Sequence, residues 1–222
     1  MLVILVHYVC VCVGRGGGMF LISAVEEEIC VPPSESSAAR DEAVTRVIEA
    51  SFVNKVVPSL GLVITLWDIQ EITGGLIYPN DGNINYTVAF RLVVFRPFVG
   101  EVLVGKLVGS DLKGVRVSLG FFSDLFVPEA NLQTPSRYSP EERTWVWDYD
   151  EAELFLDLED TVRVRVKEVR FHPIPTPAQM RGTAAEPGIG TDASPYRPME
   201  VIADMNADGL GSVGWWSEAV AE

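Results

Sequence analysis

The stretch from Arg91 to Glu129, RLVVFRPFVGEVLVGKLVGSDLKGVRVSLGFFSDLFVPE, constrains the fold more than any other part of the chain. Valine, leucine and phenylalanine alternate there with charged or small residues, which is the pattern of half-buried β-strands. The content of Gly, Ser and Asp between Gly109 and Gly114 predicts a hairpin turn, and Gly120 allows a sharp bend. The predicted strands are Glu101–Val108, Gly114–Leu119 and Phe122–Val127. Three strands joined in this way predict the start of a small closed barrel.

The overall charge argues against a protein that binds nucleic acid over its whole surface. The 222 residues include 31 acidic and 17 basic side chains, and the formal net charge of −14 is spread along the chain. Nucleic-acid-binding domains usually have the opposite sign, so any contact with RNA or DNA must use a local basic patch or be weak. Diffuse acidity alone favours nothing more specific than solubility.

The three cysteines, Cys10, Cys12 and Cys30, all lie near the start of the chain. None of them can cross-link the body of the protein, and the two histidines, His7 and His172, do not complete a zinc-binding set. We therefore expect no bound metal and a core held together by packing, as is typical of a reducing compartment.

Residues 1–18, MLVILVHYVCVCVGRGGG, differ in composition from the rest of the chain. Their apolar run is shorter than the roughly 20 residues that a membrane-spanning helix needs. It also lacks the basic start and the cleavage site of a signal peptide. We favour a doubtful upstream extension before a start at Met19. A targeting or anchoring segment and an additional strand stay open.

Residues 19–97 are predicted to form an α+β domain with a single helix on a curved sheet. Ser36 or Ser37 is expected to cap a helix that reaches Asn54, because apolar residues recur there three and four apart. Turns are predicted at Gly74-Gly75 and at residues 80–83. Pro97 ends the domain, since proline cannot donate to a β-ladder. The predicted strands are Phe20–Ile29, Leu62–Ile69 and Tyr86–Phe95.

The barrel is predicted to continue to residue 171, with a polar loop over Asn131–Ser139. In the last predicted strand, valines alternate with Arg163, Arg165 and Lys167. Two interpretations of this strand stay open: an ordinary strand with a solvated face, or a basic stripe beside nucleic acid. The further predicted strands are Arg143–Tyr149, Glu151–Asp157 and Thr161–Phe171.

The C-terminal part begins with a segment, 172–198, that is rich in proline and poor in apolar residues. We expect a disordered or mobile insertion there. A last strand is predicted over Met199–Asp204. The adjacent Trp215 and Trp216 indicate a final strand docked on an edge of the core, with docking of a partner as the second interpretation.

No pattern of catalytic residues emerges from the sequence. Gly14–Gly18 lacks the strand–loop–helix order and the lysine of a phosphate-binding loop. The two histidines provide no convincing base for a serine or cysteine nucleophile. Asn85-Tyr86-Thr87 matches a glycosylation acceptor, but this short pattern is frequent by chance. We therefore expect a non-catalytic binding protein without a cofactor.

A five-stranded barrel of this kind presents the outer surface of its second and third strands to oligonucleotides. Basic side chains hold the backbone of a single strand there, and aromatic rings stack on its bases. Basic residues outnumber acidic ones between Phe95 and Phe122, so this stretch is a local basic patch. At least one of the phenylalanines must face the core. The candidates are Lys106, Lys113 and Arg116 for the backbone and Phe121, Phe122 and Phe126 for the bases.

Five blocks of sequence, in order and at compatible spacings, carry a family resemblance. They are NKVVPSLGLVITLWDI (54–69), YPNDG (78–82), FRLVVFRPFVGEVLVGKLVGSDLKGVRVSLGFFSDLFVP (90–128), WVWDYD (145–150) and GWW (214–216). Together they resemble the larger stalk subunit of eukaryotic RNA polymerase III. Relatives in polymerases I and II and in the archaeal RNA polymerase share the two-domain plan. Residues 1–18 and the segment after Phe171 depart from the family pattern.

This resemblance implies that residues 19–97 are a tip domain that seats a stalk on the polymerase core. Residues 98–216 would be an RNA-binding OB barrel near the emerging transcript. The implied partners are a smaller helical stalk subunit, the polymerase III core and single-stranded nascent RNA, with no membrane. The implied role is transcription initiation and transcript handling in the nucleus, without an active site in this chain. The positions of this chain that match the family pattern are Lys106, Gly114, Val117, Ser118, Leu119, Gly120, Phe121 and Phe122.

Two other classes of protein compete with this hypothesis. One is a free-standing OB-fold RNA-binding or translation-associated protein with an unrelated N-terminal domain. The other is a secreted or membrane-anchored β protein, which requires that residues 1–18 act as a targeting segment.

Overall fold

The computed structural model describes residues 11–12, 18–58, 60–79, 81–149, 152–173 and 197–216. The chain divides into two compact units, Met1–Pro97 and Phe98–Glu222. Within the described ranges one α-helix lies among many strands, and the second unit is built on β-structure. The α+β fold class predicted from the sequence is therefore confirmed.

In its described residues, the first unit is an antiparallel sheet with one α-helix on one face. Helix α1 (Arg40–Phe52) packs on the sheet through Ala43, Val44, Ile48 and Phe52. The Phe52 ring meets the Phe90 ring edge to face, with centres 5.5 Å apart. The strands are β1 (Val11–Cys12), β2 (Phe20–Val31), β3 (Val56–Val57), β4 (Gly61–Ile77) and β5 (Ile84–Phe95), in the order β1-β2-β5-β4-β3.

Helix α1 begins at Arg40, so the predicted cap at Ser36 or Ser37 is wrong. The Ser36 hydroxyl instead donates to the carbonyl oxygen of Pro33 at 2.7 Å. The prolines hold this segment in a turn, which uses the serine side chain before the helix starts. The position before the helix is Ala39, which provides no side-chain cap.

Strand β4 runs from Gly61 to Ile77, so the predicted strand end at Ile69 and the turn at Gly74-Gly75 are wrong. The register of β4 against β5 shifts at four places. Each shift adds a residue to β4, so the side chains that face the helix recur every third position instead of every second. The first two shifts lie within the predicted strand, and the last lies at Gly74-Gly75, where the sequence predicts a turn. The residues that face the helix are Val63, Leu66, Ile69 and Ile72.

The second unit contains a closed five-stranded barrel. The strands are β6 (Val102–Asp111), β7 (Gly114–Ser118), β8 (Leu125–Pro128), β12 (Thr161–Phe171) and β13 (Met199–Asp204). They pair in the ring β6-β7-β8-β13-β12 and back to β6. The β8–β13 pair is parallel and the other four are antiparallel. This connectivity is that of an OB-fold, which confirms the predicted barrel.

The first hairpin of the barrel is tighter than the sequence predicted. Asp111 pairs with Gly114, so the turn is Leu112-Lys113 and strand β6 continues through Gly109. Gly114 has a φ of +142°, and a Cβ atom there would lie 2.1 Å from the carbonyl oxygen of Val127. Only glycine fits this position, because it tolerates both the backbone angle and the close approach.

The third strand of the barrel begins at Leu125 and not at Phe122 as predicted. The Leu119 N–H donates to the Phe122 carbonyl at 2.8 Å and closes a turn around Gly120. Gly120 has a φ of +90°, so the predicted bend at this glycine is confirmed.

Between β8 and β12 the chain forms a separate three-stranded antiparallel sheet. A 3-10 turn at Glu129–Asn131 leads into β9 (Ser136–Ser139), β10 (Thr144–Tyr149) and β11 (Ala152–Leu156). The predicted polar loop over Asn131–Ser139 is wrong in its second half, where β9 pairs with β10. Strand β9 has no apolar alternation because it lies at the edge of the sheet, with its side chains partly or fully exposed.

The predicted terminal strand is reduced to β14 (Gly211–Ser212), which is followed by a 3-10 turn over Val213–Trp216. Trp215 and Trp216 pack on Trp147 of β10, with ring centres 5.3 and 6.5 Å away. The tryptophan pair therefore docks on the inserted sheet of its own chain, as the first interpretation predicted, but from a 3-10 turn and not from a strand.

Strands β12 and β13 hold both ends of the predicted proline-rich insertion. Of residues 172–198, those from 174 to 196 lie outside the described residues. Phe171 pairs with Met199, and the His172 N–H donates to the Pro198 carbonyl at 2.9 Å. The barrel ladder is thus continuous up to the point where this segment leaves and re-enters it.

Replacing residues 174–196 by a short glycine–serine linker should leave the barrel folded. The ladder between β12 and β13 stays in place, and the entropy of loop closure depends weakly on loop length, so we expect a change below about 1 kcal/mol in the free energy of unfolding. Urea denaturation measures this quantity. A loss above about 3 kcal/mol would mean that the replaced residues belong to the packed core.

Candidate nucleic-acid interface

The outer face of β6, β7 and β8 carries three of the predicted site residues. Lys106 projects from β6 and is exposed, whereas Arg116 on β7 and Phe126 on β8 are half-buried. The residues that flank them along each strand are buried in the barrel, so these three side chains point outward. The face therefore presents two cations and one aromatic ring.

Arg116 and Phe126 lie directly opposite each other on β7 and β8. Directly opposed residues on one face of a sheet have Cβ atoms about 5 Å apart. The guanidinium group and the ring thus form one composite surface. A ring of this kind can stack on a base while the neighbouring cation meets a phosphate group.

The other three predicted residues lie in the connections between these strands. Lys113 is in the exposed turn after β6, and Phe121, in the connection before β8, is 47% exposed. Phe122 is only 6% exposed and belongs to the core. Its predicted role in stacking on a base is therefore corrected. The sequence predicted that at least one of the three phenylalanines is buried. It could not identify which one, because residues 119–124 do not form a regular strand with alternating faces.

Acidic side chains lie near the two outward cations but hold them weakly. Lys106 Nζ is 3.8 Å from Glu159 Oε2, and Arg116 Nη2 is 4.0 Å from Asp111 Oδ2. Exposed ion pairs contribute at most about 1 kcal/mol. A phosphate group can therefore replace either carboxylate.

The sequence did not predict a charged cluster beside β8. Arg197 lies between Asp124 at 3.0 Å and Glu200 at 3.8 Å. Burial raises the pKa of Asp124, whereas the positive charges of Arg197 and Arg116 act in the opposite direction. No local pattern could reveal this cluster, because the parallel pairing of β8 with β13 brings its residues together.

Most basic side chains of β12 are held by partners. Arg165 donates to Asp204 at 2.7 Å, and Lys167 donates to Asn131 at 2.8 Å. Arg170 donates to Glu168 at 2.7 Å. For these three residues the structure favours the interpretation of an ordinary strand with a solvated face.

Other kinds of site receive no support from the described residues. Among them, no group of three or more His, Cys, Asp or Glu side chains could hold a metal ion. Within the same part of the chain, no helix has the length and apolar character needed to cross a membrane. Asn85 of the glycosylation pattern is 7% exposed within β5, so its side chain is not accessible for modification in this fold.

A helix-on-sheet unit followed by an OB barrel with a basic and aromatic outer face defines a two-unit OB-fold protein. The family model of RNA polymerase III subunit Rpc25 matches residues 101–216. The model of the SHS2 domain found in the N terminus of Rpb7p, Rpc25p and MJ0397 matches residues 26–82. The chain belongs to the RNA polymerase III subunit Rpc25 family, and the resemblance drawn from the sequence blocks is confirmed.

Polymerase III subunits match over most of the chain, and an archaeal relative matches over less than half of it. DNA-directed RNA polymerase III subunit rpc8 of Schizosaccharomyces pombe is 35% identical over 89% of this chain and 100% of its own length. Subunit RPC8 of Bos taurus is 32% identical over 90% of this chain and 100% of its own. The archaeal DNA-directed RNA polymerase subunit Rpo7 of Saccharolobus solfataricus is 24% identical over 46% of this chain and 57% of its own.

Proposed function

We propose that this chain is the larger, non-catalytic stalk subunit of RNA polymerase III, acting in the nucleus in transcription initiation. The observation that carries the proposal is the match to polymerase III subunits over their whole length. The two family models also fall one in each unit of the chain. Both units therefore contribute to the assignment.

The barrel binds nascent single-stranded RNA on the outer face of β6, β7 and β8. Lys106, Lys113 and Arg116 contact the backbone, and Phe121 and Phe126 stack on bases. The opposed pair of Arg116 and Phe126 supports this assignment. The net charge of −14 repels RNA elsewhere, so the basic patch also selects where the strand lies.

Residues 19–97 act as the tip domain that docks on the polymerase core, and a smaller helical subunit completes the stalk. Leu76, Ile77 and Tyr78, at and after the end of β4, support the docking role because each is more than half exposed. Grouped apolar side chains at a surface mark sites of protein contact. Trp67 in the middle of β4 is similarly exposed.

Affinity purification of a tagged copy from cells tests this proposal. The large polymerase III subunits and one smaller subunit should copurify in equal amounts. A variant with Leu76→Asp and Tyr78→Asp should recover less of the core, whereas the barrel variant Phe126→Ala should recover as much as the unaltered chain. Recovery of ribosomes, or of no partner, would contradict the stalk assignment and favour a free-standing RNA-binding protein.

A further inference from the structure

Arg163 differs from the other basic residues of β12. Those residues are held by Asp204, Asn131 and Glu168. In the part of the chain that the structure describes, the Arg163 side chain has no hydrogen-bond or ion-pair partner. The residues on either side of it are fully buried, so its side chain points out of the barrel.

The register of β12 and β6 places Arg163 close to Lys106. Arg163 lies opposite Val104, and Thr161 lies opposite Lys106. Residues two positions apart along a strand share a face, so Arg163 and Lys106 are diagonal neighbours. The Cα atoms of such neighbours are about 7–8 Å apart. The two cations therefore belong to one surface.

Strand β7 continues this line on the other side of β6. Lys106 lies opposite Ser118, and Arg116 lies opposite Gly109, further along β6. Lys106 therefore lies between Arg163 and Arg116. This order holds across the strands, from β12 over β6 to β7, and also along the direction of β6. With Phe126 opposite Arg116 on β8, the four side chains form a diagonal row over β12, β6, β7 and β8.

A depression with a volume of about 380 Å³ lies beside Lys106 in this row. Val104 and Val108 line it and are about half exposed, so its floor is apolar. Ser118 and Thr161 add hydroxyl groups to its walls. A nucleobase has apolar faces and a polar edge, and this lining matches both.

We propose that Arg163 is a further RNA-backbone contact on a diagonal track. A single strand of RNA crosses the barrel from Arg163 over Lys106 to Arg116 and Phe126, with one base in the depression. This inference rests on the proposed function and extends it, because it adds one residue of β12, Arg163, to the RNA-binding face of β6, β7 and β8. A row of cations fits a polyanion better than an apolar protein segment, which would bury these charges without partners.

Titration of the full-length chain with a fluorescently labelled single-stranded oligouridylate tests the track. By fluorescence anisotropy, Arg163→Glu should weaken binding about 10-fold at low salt and lower the salt slope by about 0.7, the value for one phosphate contact. Arg163→Gln removes the charge without reversing it and should weaken binding less. Arg170→Glu is the matched control, since it makes the same charge change on the same strand outside the row, and it should bind like the unaltered chain.

The outcomes separate this inference from the function on which it rests. If Arg163→Glu binds like Arg170→Glu while Lys106→Glu with Arg116→Glu weakens binding, the diagonal track is wrong and the RNA-binding face stands. If no variant changes affinity, both are wrong. If Arg163→Glu keeps its RNA affinity but loses a polymerase subunit on purification, this part of the face docks a protein and the track is overturned.

Discussion

Lys106→Glu combined with Arg116→Glu should weaken the binding of single-stranded RNA at least about 100-fold at low salt. Each substitution removes a charge-assisted contact worth roughly 1.5–3 kcal/mol. It also adds a repulsive carboxylate to a chain that already has a net charge of −14. The slope of log K against log salt should fall by about 1.4, since each phosphate neutralised on a single strand contributes about 0.7. Anisotropy titrations at several salt concentrations measure both quantities.

Two further variants show whether the face itself causes the effect. Phe126→Ala removes a stacked ring, so the free energy of RNA binding should become less favourable by about 1–3 kcal/mol. The slope of log K against log salt should stay unchanged. Arg40→Glu with Arg170→Glu changes the net charge by the same amount away from the face. If this second variant weakens binding as much as Lys106→Glu with Arg116→Glu, then total charge controls affinity and the face is not the site.

Gly114→Ala should destabilise the barrel by about 3 kcal/mol or more. Gly114 has a φ of +142°, and its new Cβ atom would lie 2.1 Å from the Val127 carbonyl oxygen and 2.9 Å from Pro128 Cα. Both of these atoms belong to the backbone of β8, so a side-chain rotation cannot relieve the contact. Urea denaturation of the purified chain, with and without the substitution, measures the loss in the free energy of unfolding.

Gly120→Ala is the matched control for this prediction. Gly120 also has a positive φ, +90°, but no heavy atom lies within 4 Å of the position that its Cβ atom would take. Its substitution should therefore cost only the backbone strain, about 1–2 kcal/mol. Equal costs for the two variants would show that the close approach of β7 to β8 does not determine the glycine at position 114.

The parts of the fold that the sequence predicted are those where side chains alternate without interruption. Strands β6 and β12 alternate cleanly over most of their length, and the prediction placed both. Strand β4 was predicted too short because Gly74-Gly75 is typical of a turn, whereas β4 accommodates both glycines, at positive φ, in a register shift. Strand β9 was missed because an exposed edge strand needs no apolar face. The start of helix α1 was misplaced because Ser36 serves the preceding turn.

The candidate site was predictable as a set of residues but not as an arrangement. Alternation along β6 and β7 placed Lys106 and Arg116 on the surface. It could not show that Phe122 is buried and Phe121 exposed, because both lie in an irregular turn. The position of Arg163 beside Lys106 depends on pairing between strands that are far apart in sequence. The same holds for the ion pair of Asp124 and Arg197, which depends on the closure of the barrel.

Mapping where nascent RNA touches this chain inside RNA polymerase III tests most directly the claim that the outer face of the barrel binds RNA. Elongation complexes that contain the chain can be halted with a photoreactive uridine in the emerging transcript and irradiated, and mass spectrometry identifies the cross-linked peptides. We predict cross-links to peptides between Lys106 and Phe126, reduced in the variant with Lys106→Glu and Arg116→Glu. Cross-links confined to other subunits, or to residues 19–97 in place of the barrel, would contradict the claim.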